Sequence, residues 1–77
     1  MPLHETSFQY LRPSPEQIIV MGDVRKAYEV LYAAIDELVP EGRYKSLAIT
    51  ELEASAMFAN KGIVRYSDGE PREGAVV

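Results

Sequence analysis

Residues 41–65, EGRYKSLAITELEASAMFANKGIVR, decide the fold of this 77-residue chain. Their pattern predicts one helix with apolar side chains around more than half of its circumference, namely Leu47, Ala48, Ile49, Leu52, Ala54, Ala56, Met57, Phe58, Ala59, Ile63 and Val64. A surface helix keeps its apolar residues on one stripe, whereas a helix that is apolar nearly all round is buried on several sides. Because the chain has room for only one other long helix, we expect the missing partners to be further copies of the same chain.

A first helix precedes this stretch and begins at a capping sequence. Ser14 can accept a hydrogen bond from the third helical residue, Pro15 suits the first helical position, and Gln17 can complete a capping box. Apolar residues then recur in steps of three and four, as a heptad-like seam of Met21, Val24, Tyr28, Leu31, Ile35 and Leu38. Residues 39–42, VPEG, end the helix, since the residue before a proline avoids the helical region and glycine suits a turn. So short a connection predicts antiparallel helices.

We therefore predict an all-α protein with a single domain, 1–77. It is an antiparallel two-helix hairpin with an extended or irregular N-terminal arm (1–13), helix 1 at about 15–39, helix 2 at about 43–65 and a flexible tail (66–77). Such a hairpin buries one seam and leaves other apolar faces in water, as a larger patch than monomers usually expose. A chain this short without disulfides also has a marginal core. We expect a homo-oligomer.

Composition excludes several classes of function. The net charge of −4 leaves no basic face for a polymeric nucleic acid, whose binding depends on phosphate neutralisation. There is no cysteine, and the single histidine, His4, lies in the arm, so no metal site is predicted. No apolar run reaches the roughly 18 residues of a membrane span, and the N-terminus lacks a signal-peptide pattern. We expect a soluble, intracellular protein with no cofactor, no metal, no nucleic-acid polymer and no membrane partner.

The sequence also argues against catalysis. It has no cysteine nucleophile and no histidine in the predicted helices. Carboxylate chemistry needs paired acids, but Glu51 and Glu53 are two residues apart on a helix and point in different directions. Asp36 and Glu37 are adjacent and also diverge. We interpret these acids as a solvated helix face and as helix-end charges.

A stripe of Arg43, Ser46 and Thr50 lies on one face near the start of helix 2, because the spacings are three and four. Arginine and hydroxyl donors at a helix N-terminus favour an anion. The alternative is an ordinary helix start, in which the hydroxyls bond back to the helix and Arg43 pairs with Glu41. Arg65 lies about 33 Å further along. It serves another site, meets Arg43 of another subunit, or is a cation suited to a helix C-terminus.

The arm contains Phe8, Tyr10 and Arg12. In an extended run, Phe8 and Tyr10 face the same side. Aromatic rings beside a cation suit a ligand with a base and a phosphate, because bases stack on rings and cations meet phosphates. Arg25 and Lys26 of helix 1 can supply that cation. The alternative is a hydrophobic arm that clamps the hairpin.

Four segments together carry a resemblance to a known family. They are Tyr10, PSPEQ (13–17), RYKSLAITELE (43–53) and MFANKGIVR (57–65). In this order and spacing they resemble the phage anti-CBASS and anti-Thoeris helical-hairpin family, sponges that hold bacterial immune signalling nucleotides. The resemblance implies a non-enzymatic protein, often a hexamer with ligand pockets between subunits, that binds cyclic dinucleotides, cyclic trinucleotides or cyclic ADP-ribose isomers without cleaving them. It would act in the cytoplasm of the bacterial host during infection and block CBASS-type effectors.

The resemblance also implies site residues. Tyr10 matches the family's base-stacking aromatic and Arg25 its phosphate-binding cation, with Lys26 as the neighbouring alternative. The expected cyclic dinucleotide site therefore consists of Phe8, Tyr10, Arg25 and Lys26. A separate cyclic trinucleotide pocket around a three-fold axis is expected at Arg43, Ser46 and Thr50. The end of the motif adds two further candidates, Asn60 and Arg65.

Three departures from the family pattern leave the ligand open. Tyr44 stands where the family has an acid, Glu51 where a lysine is common, and Phe58 where it has a tryptophan. The acidic Glu51 removes a cation, which would weaken or retarget an anion pocket. The alternatives are a sponge for cyclic ADP-ribose isomers and a small oligomeric helical adaptor. A cyclic nucleotide hydrolase is disfavoured, because the sequence offers no catalytic pair.

Overall fold

The structure, a computed structural model, describes residues 2–76; Met1 and Val77, the outermost residues of the predicted arm and tail, lie outside this range. Its helices are α1, Pro15–Leu38, and α2, Arg43–Val64. They form an antiparallel hairpin, so the all-α prediction is confirmed. Within the described residues, β-structure is limited to two isolated bridges, and no helix combines the length and apolar character needed to cross a bilayer.

The capping sequence predicted for α1 is present. The backbone amide of Gln17 donates to Ser14 Oγ at 3.1 Å, and the backbone amide of Ser14 donates to Gln17 Oε1 at 2.8 Å. This reciprocal pair satisfies amides that the first helical turn would otherwise leave unbonded. At the other end, Val39 has extended backbone (φ −92°, ψ 126°), as expected for the residue before Pro40.

A buried lysine, which sequence reasoning missed, holds the turn between the helices. The Lys45 side chain is only 7% exposed, and its Nζ donates to Glu41 Oε1 at 2.6 Å and to the Asp36 carbonyl at 2.8 Å. The hydrogen bond to Glu41 raises the pKa of Lys45, and Asp36 adds to the rise, against the opposing effect of burial. Lys45 therefore stays charged and joins the last turn of α1 to the first turn of α2.

The contact between the helices is shallow. α1 has no buried residue, and α2 has only Lys45 and Val64. The Tyr28 hydroxyl and Ser55 Oγ form a hydrogen bond across the helices at 2.6 Å. Large apolar side chains stay exposed along both helices: Ile18, Ile19, Val20, Val30, Leu31, Tyr32, Leu38, Leu47, Met57 and Phe58. A single chain thus leaves these apolar faces exposed. They are the faces that the sequence predicts other copies of the chain to cover.

The buried apolar core lies where the arm and the tail meet the end of α2. It consists of Leu11, Val64 and Ala75, with Ile63 packed against it. Arg12 and Val76 pair in an antiparallel bridge, in which each amide donates to the other residue's carbonyl, at 2.6 and 3.0 Å. This core therefore sits outside the helical seam, at one end of the molecule.

The tail differs from the flexible segment that the sequence predicts, because residues 66–76 fold back onto α2 and the arm. Gly69 and Gly74 form turns with φ of +93° and +87°, a region that other residues rarely adopt. The Arg72 amide donates to the Val64 carbonyl at 2.7 Å, which continues the backbone bonding past the helix end. The two glycines form turns, and Pro71 pairs with Arg65 in an isolated antiparallel bridge.

A tyrosine–carboxylate pair stabilises the tail from outside. The Tyr66 hydroxyl donates to the Glu73 carboxylate, at 2.8 and 2.7 Å from its two oxygens, and the Arg72 guanidinium lies 4.5 Å from the Tyr66 ring centroid. The shared hydrogen bond raises the pKa of Tyr66 and lowers the pKa of Glu73. Because the pair is in contact with solvent, its contribution to stability is small.

Candidate functional site

Two adjoining grooves run along the hairpin and share Arg25, Tyr28 and Ala56. The first, of about 460 Å³, is lined by Arg25, Tyr28, Glu29, Tyr32, Ile49, Leu52, Glu53 and Ala56. The second, of about 350 Å³, is lined by Ile18, Met21, Gly22, Val24, Arg25, Tyr28, Ala56 and Asn60. Both are predominantly apolar with a few polar groups, which is the usual character of small-molecule sites.

Arg25 stands at the junction of the two grooves. Its one ion pair among the described residues is with Glu29, at 3.7 Å between Arg25 Nε and Glu29 Oε1. The two side chains are 72% and 68% exposed, so the pair is weak and the guanidinium can still meet an anion. Lys26, the neighbouring candidate, is exposed and lines neither groove.

The two grooves differ in charge. Glu29 and Glu53 line the first, whereas the residues that line the second include no acid. The polar side chains of the second groove are Arg25 and Asn60, a cation beside an amide that both donates and accepts. A Cβ added to Gly22 there would meet nothing within 4 Å, so there is free space beside that backbone. The second groove is therefore the one that suits an anionic ligand.

Sequence reasoning missed the aromatic wall of these grooves. Tyr28 lines both, and Tyr32 lines the first. They follow Arg25 by three and seven residues, which places all three on one face of α1. That spacing is a signal from which both tyrosines could have been found. Because the Tyr28 hydroxyl is bonded to Ser55, its ring has a fixed position at the junction.

The aromatic residues of the arm, Phe8 and Tyr10, are 91% and 79% exposed. Residues 5–8 form turns rather than a fully extended run. Neither aromatic residue lines either groove along the hairpin. A single chain therefore does not bring Tyr10 and Arg25 together into one of these grooves.

At the start of α2, the hydroxyl groups bond within the helix. Ser46 Oγ donates to the Gly42 carbonyl at 3.3 Å, and Thr50 Oγ1 donates to the Ser46 carbonyl at 2.9 Å. Arg43 forms no ion pair among residues 2–76, and its guanidinium lies 5.9 Å from the centroid of the Tyr44 ring. This is the hydroxyl arrangement of an ordinary helix start. Arg43 itself is exposed, so its guanidinium remains accessible to an anion.

Asn60 and Arg65 occupy different environments. Asn60 is exposed and lines the second groove, as described above. Arg65 is 5% exposed, and its guanidinium donates to the carbonyls of Gln9 and Gly69, both at 2.6 Å. Its hydrogen bonds are thus made inside the protein, to the arm and to the tail.

The grooves combine groups that can bind an anion with groups that can contact a planar ring. Among the described residues, no three His, Asp or Glu side chains are placed to hold a metal ion. The His4 ring accepts a hydrogen bond from the Thr6 amide at 3.2 Å, and His4 lines neither groove. Together the grooves offer a cation, an amide, two aromatic rings and an apolar floor, with two carboxylates, Glu29 and Glu53, in the first groove only.

The comparison with known proteins places the chain in a family. The family model described as Acb2/Tad1, hairpin domain, matches residues 2–64, which include the arm, both helices and both grooves. Neither the curated proteins nor the solved structures compared with the chain give a significant match. The family resemblance seen in the sequence is thereby confirmed. The chain belongs to the Acb2/Tad1 hairpin-domain family of anti-defence sponges that bind cyclic nucleotide signals.

Proposed function

We propose that this protein sequesters cyclic di- or trinucleotide immune signals without cleaving them, in the cytoplasm of an infected bacterium. Removing the signal from solution keeps CBASS-type effectors inactive. To compete with an effector, the affinity has to be nanomolar or tighter, about −12 kcal/mol. Family membership supports the class of ligand, and the groove chemistry supports the mode of binding.

The observation that carries the proposal is the second groove, with Arg25 and Asn60 above an apolar floor. A cyclic dinucleotide combines phosphates with planar bases. Arg25 can donate charge-assisted hydrogen bonds to a phosphate, and Asn60 can bond the edge of a base. Tyr28 supplies an aromatic surface at the same place. The absence of acidic residues from this lining favours an anion there.

The absence of cleavage is part of the proposal. General acid–base catalysis requires a titratable group positioned at the reacting atoms. The side chains that line the second groove include no histidine, carboxylate or lysine, and the hydroxyl of its one tyrosine, Tyr28, is hydrogen-bonded to Ser55. We therefore expect the ligand to leave the protein chemically unchanged.

We propose that the complete site forms between copies of the chain, in a homo-oligomer that we expect to be a hexamer as in the family. Tyr10 and Arg25 line no common groove in one chain, and α1 has no buried residue. A neighbouring copy that covers α1 would remove exposed apolar surface and could deliver its Phe8 and Tyr10 to the groove. Stacking between the ring and a base would then complete the contacts.

A second ligand class is proposed for Arg43, Ser46 and Thr50, which we assign to a cyclic trinucleotide around a three-fold axis. The exposed guanidinium of Arg43 at a helix N-terminus supports an anion there. The hydroxyls donate to the helix, so they would serve the ligand as acceptors.

The test is isothermal titration of the purified protein with cyclic di- and trinucleotides, with the oligomer size measured by mass-calibrated chromatography. We expect nanomolar binding with fewer than one ligand per chain, because the site is shared. Ligand recovered intact after heating the complex establishes sequestration, whereas a cleaved product contradicts it. No binding across the panel would favour a cyclic ADP-ribose isomer as ligand, or an adaptor.

A matched pair of variants identifies the cation. Arg25→Gln removes a charge from the groove, and Lys26→Gln removes one from the adjacent position, which lines neither groove. We expect Arg25→Gln to weaken cyclic dinucleotide binding by about 10–100-fold, the value of a charge-assisted hydrogen bond. Lys26→Gln should have little effect. The reverse result would assign the phosphate to Lys26.

A further inference from the structure

The two exposed aromatic residues of the arm flank a backbone group that the protein holds in place. The carbonyl of Gln9, between Phe8 and Tyr10, accepts a hydrogen bond from Arg65 Nη2 at 2.6 Å. Ser7 and Leu11, on either side, are buried. The arm is therefore fixed through alternate residues while its aromatic rings remain free. A ring presented on a fixed backbone loses less conformational entropy on binding than a ring on a mobile chain.

Arg65 connects the arm to the tail. Its Nη1 donates to the Gly69 carbonyl at 2.6 Å and lies 3.4 Å from Thr6 Oγ1, while Nη2 reaches Gln9. Among residues 2–76, no carboxylate pairs with Arg65, so neutral oxygens receive its hydrogen bonds. The planar fork reaches the two carbonyls from two separate nitrogens, Nη1 and Nη2, and a lysine, with one nitrogen, does not reproduce that geometry.

The tail is built to place the second carbonyl. Gly69 has φ +93°, and a Cβ there would lie 2.7 Å from Ser7 Oγ, so the arm and the tail fit closely only with glycine. Further along, Gln17 Nε2 donates to the Glu73 carbonyl at 3.1 Å. The His4 amide donates to the Asp68 carbonyl at 2.6 Å and Arg12 pairs with Val76, so the tail is attached near both of its ends to the arm that carries the aromatic residues. We call Arg65 and residues 66–76, packed on the arm, the arm clamp.

We propose that Arg65 is a positioning residue, which holds Tyr10 for ligand capture through the Gln9 carbonyl, and that the arm clamp is part of the binding machinery. This rests on the proposed function, in which Tyr10 stacks on a base. It extends the site beyond the hairpin domain, because the family match ends at residue 64. Arg65 then contributes to affinity without touching the ligand.

The test is a double-mutant cycle of Arg65→Lys and Tyr10→Ala, measured by titration with the cyclic dinucleotide that the wild-type protein binds. Arg65→Lys keeps the charge and loses the fork, and we expect affinity to fall about tenfold, as one ordered side chain is released. In the Tyr10→Ala background, the same change should have no further effect, because its route to the ligand is gone. Additive effects would overturn the proposal and make Arg65 a direct ligand contact.

Backbone order parameters from NMR give an independent readout. Arg65→Lys should lower the values for residues 8–10 and leave those of α1 and α2 unchanged. Lys61→Gln is the control, since it removes an exposed cation from the last turn of α2, outside the arm clamp and outside both grooves. It should keep both arm order and affinity. An arm that stays ordered in Arg65→Lys would overturn the positioning role.

If the proposed function is wrong, the titration and the order parameters give results that differ from those of a failed positioning role. If the wild-type protein binds no cyclic nucleotide, the sponge assignment fails, and the order parameters alone decide whether Arg65 fixes the arm. If Arg65→Lys unfolds the protein, Gly69→Ala serves as the second variant, because its Cβ displaces Ser7 without removing the guanidinium. It should reproduce both the loss of affinity and the loss of arm order, and unchanged values of both would contradict the proposal.

Discussion

The arm clamp and the hairpin are held together in opposite ways. In the arm clamp, Arg65 and Ala75 are buried, as are Ser7 and Leu11 of the arm. Backbone hydrogen bonds join the clamp to the arm. In the hairpin, α1 has no buried residue and most seam contacts are half-exposed. One chain therefore completes the end that presents Tyr10 and leaves its helices uncovered. The arm is thus organised within one chain, whereas the helices leave exposed the apolar surface at which we propose that neighbouring copies pack.

The largest effect is expected from charging the open side of the hairpin. Ile19 and Val30 are 67% and 72% exposed, and their spacing of eleven residues places them on one face of α1. Ile19→Glu with Val30→Glu should convert the oligomer into monomers, because unpaired carboxylates in an interface cost several kcal/mol. Circular dichroism should show unchanged helicity, and mass-calibrated chromatography measures the size. An oligomer that survives would show that the copies meet through another face.

The next largest effect is the loss of unfolding free energy when a leucine is shortened in each of the two regions. Leu11, where the arm packs on the clamp, is 7% exposed, and Leu38 of the hairpin is 75% exposed. We expect Leu11→Ala to reduce the free energy of unfolding by about 2–4 kcal/mol and Leu38→Ala by less than about 0.5 kcal/mol. Urea denaturation of both, in the monomeric background of the preceding variant, measures the difference. Equal losses would contradict the contrast between the regions.

Binding should depend on the arm. Tyr10→Ala removes a stacking ring and should weaken cyclic dinucleotide affinity by about 10–100-fold while the oligomer stays intact. Tyr44→Ala is the control, since Tyr44 is equally exposed, at 78%, but lies at the start of α2. Calorimetric titration measures both. Unchanged affinity in Tyr10→Ala would remove the arm from the site.

The hairpin has one internal anchor of its own at the turn. Lys45→Met deletes the ammonium that bonds Glu41 and the Asp36 carbonyl, so the melting temperature should fall by roughly 5 °C. Lys26→Met, which removes an exposed lysine, should have the same melting temperature as the wild type. Thermal melts followed by circular dichroism measure both. A melt as high as the wild type's would mean that the turn needs no anchor.

The smallest effect is a pH dependence at the surface of the clamp. The hydrogen bond from Tyr66 lowers the pKa of Glu73, so its contribution to stability is present above the ordinary value of 4.5 and is lost as pH falls through the lowered pKa. Glu73→Gln should therefore be less stable than the wild type at about pH 6 and should match it at about pH 2. Thermal melts at both pH values measure this. A deficit that persists in acid would mean that Glu73 acts through packing.

The sequence predicts the two regions unequally, because they depend on interactions of different range. The hairpin follows from the capping box at Ser14 and Gln17 and from apolar spacing, which act over a few residues. The clamp depends on Arg65 bonding the carbonyls of Gly69 and Gln9, and the contact with Gln9, 56 residues away in sequence, leaves no periodic signal. The turn residues of the tail were visible, but the surface against which they fold was not.

The candidate site shows the same limit. Arg25 was named as a cation of helix 1 and again from the family resemblance, and Asn60 from the resemblance alone; the register of the hairpin brings the two to one groove. Tyr28 could have been found from its spacing to Arg25. In the oligomer that we propose, the relation between Tyr10 and that groove depends on how the copies pack, which neither the sequence nor a single chain specifies.

The pairing of Arg12 with Val76 has a consequence for the order of folding. These residues come from opposite ends of the described chain, whereas Asp36 and Lys45 are near neighbours in sequence. Closing a long loop costs more entropy than closing a short one, and contacts of large sequence separation form slowly. The turn should therefore form early and the Arg12–Val76 bridge late. The arm that carries Tyr10 would then reach its final position only in the last step of folding.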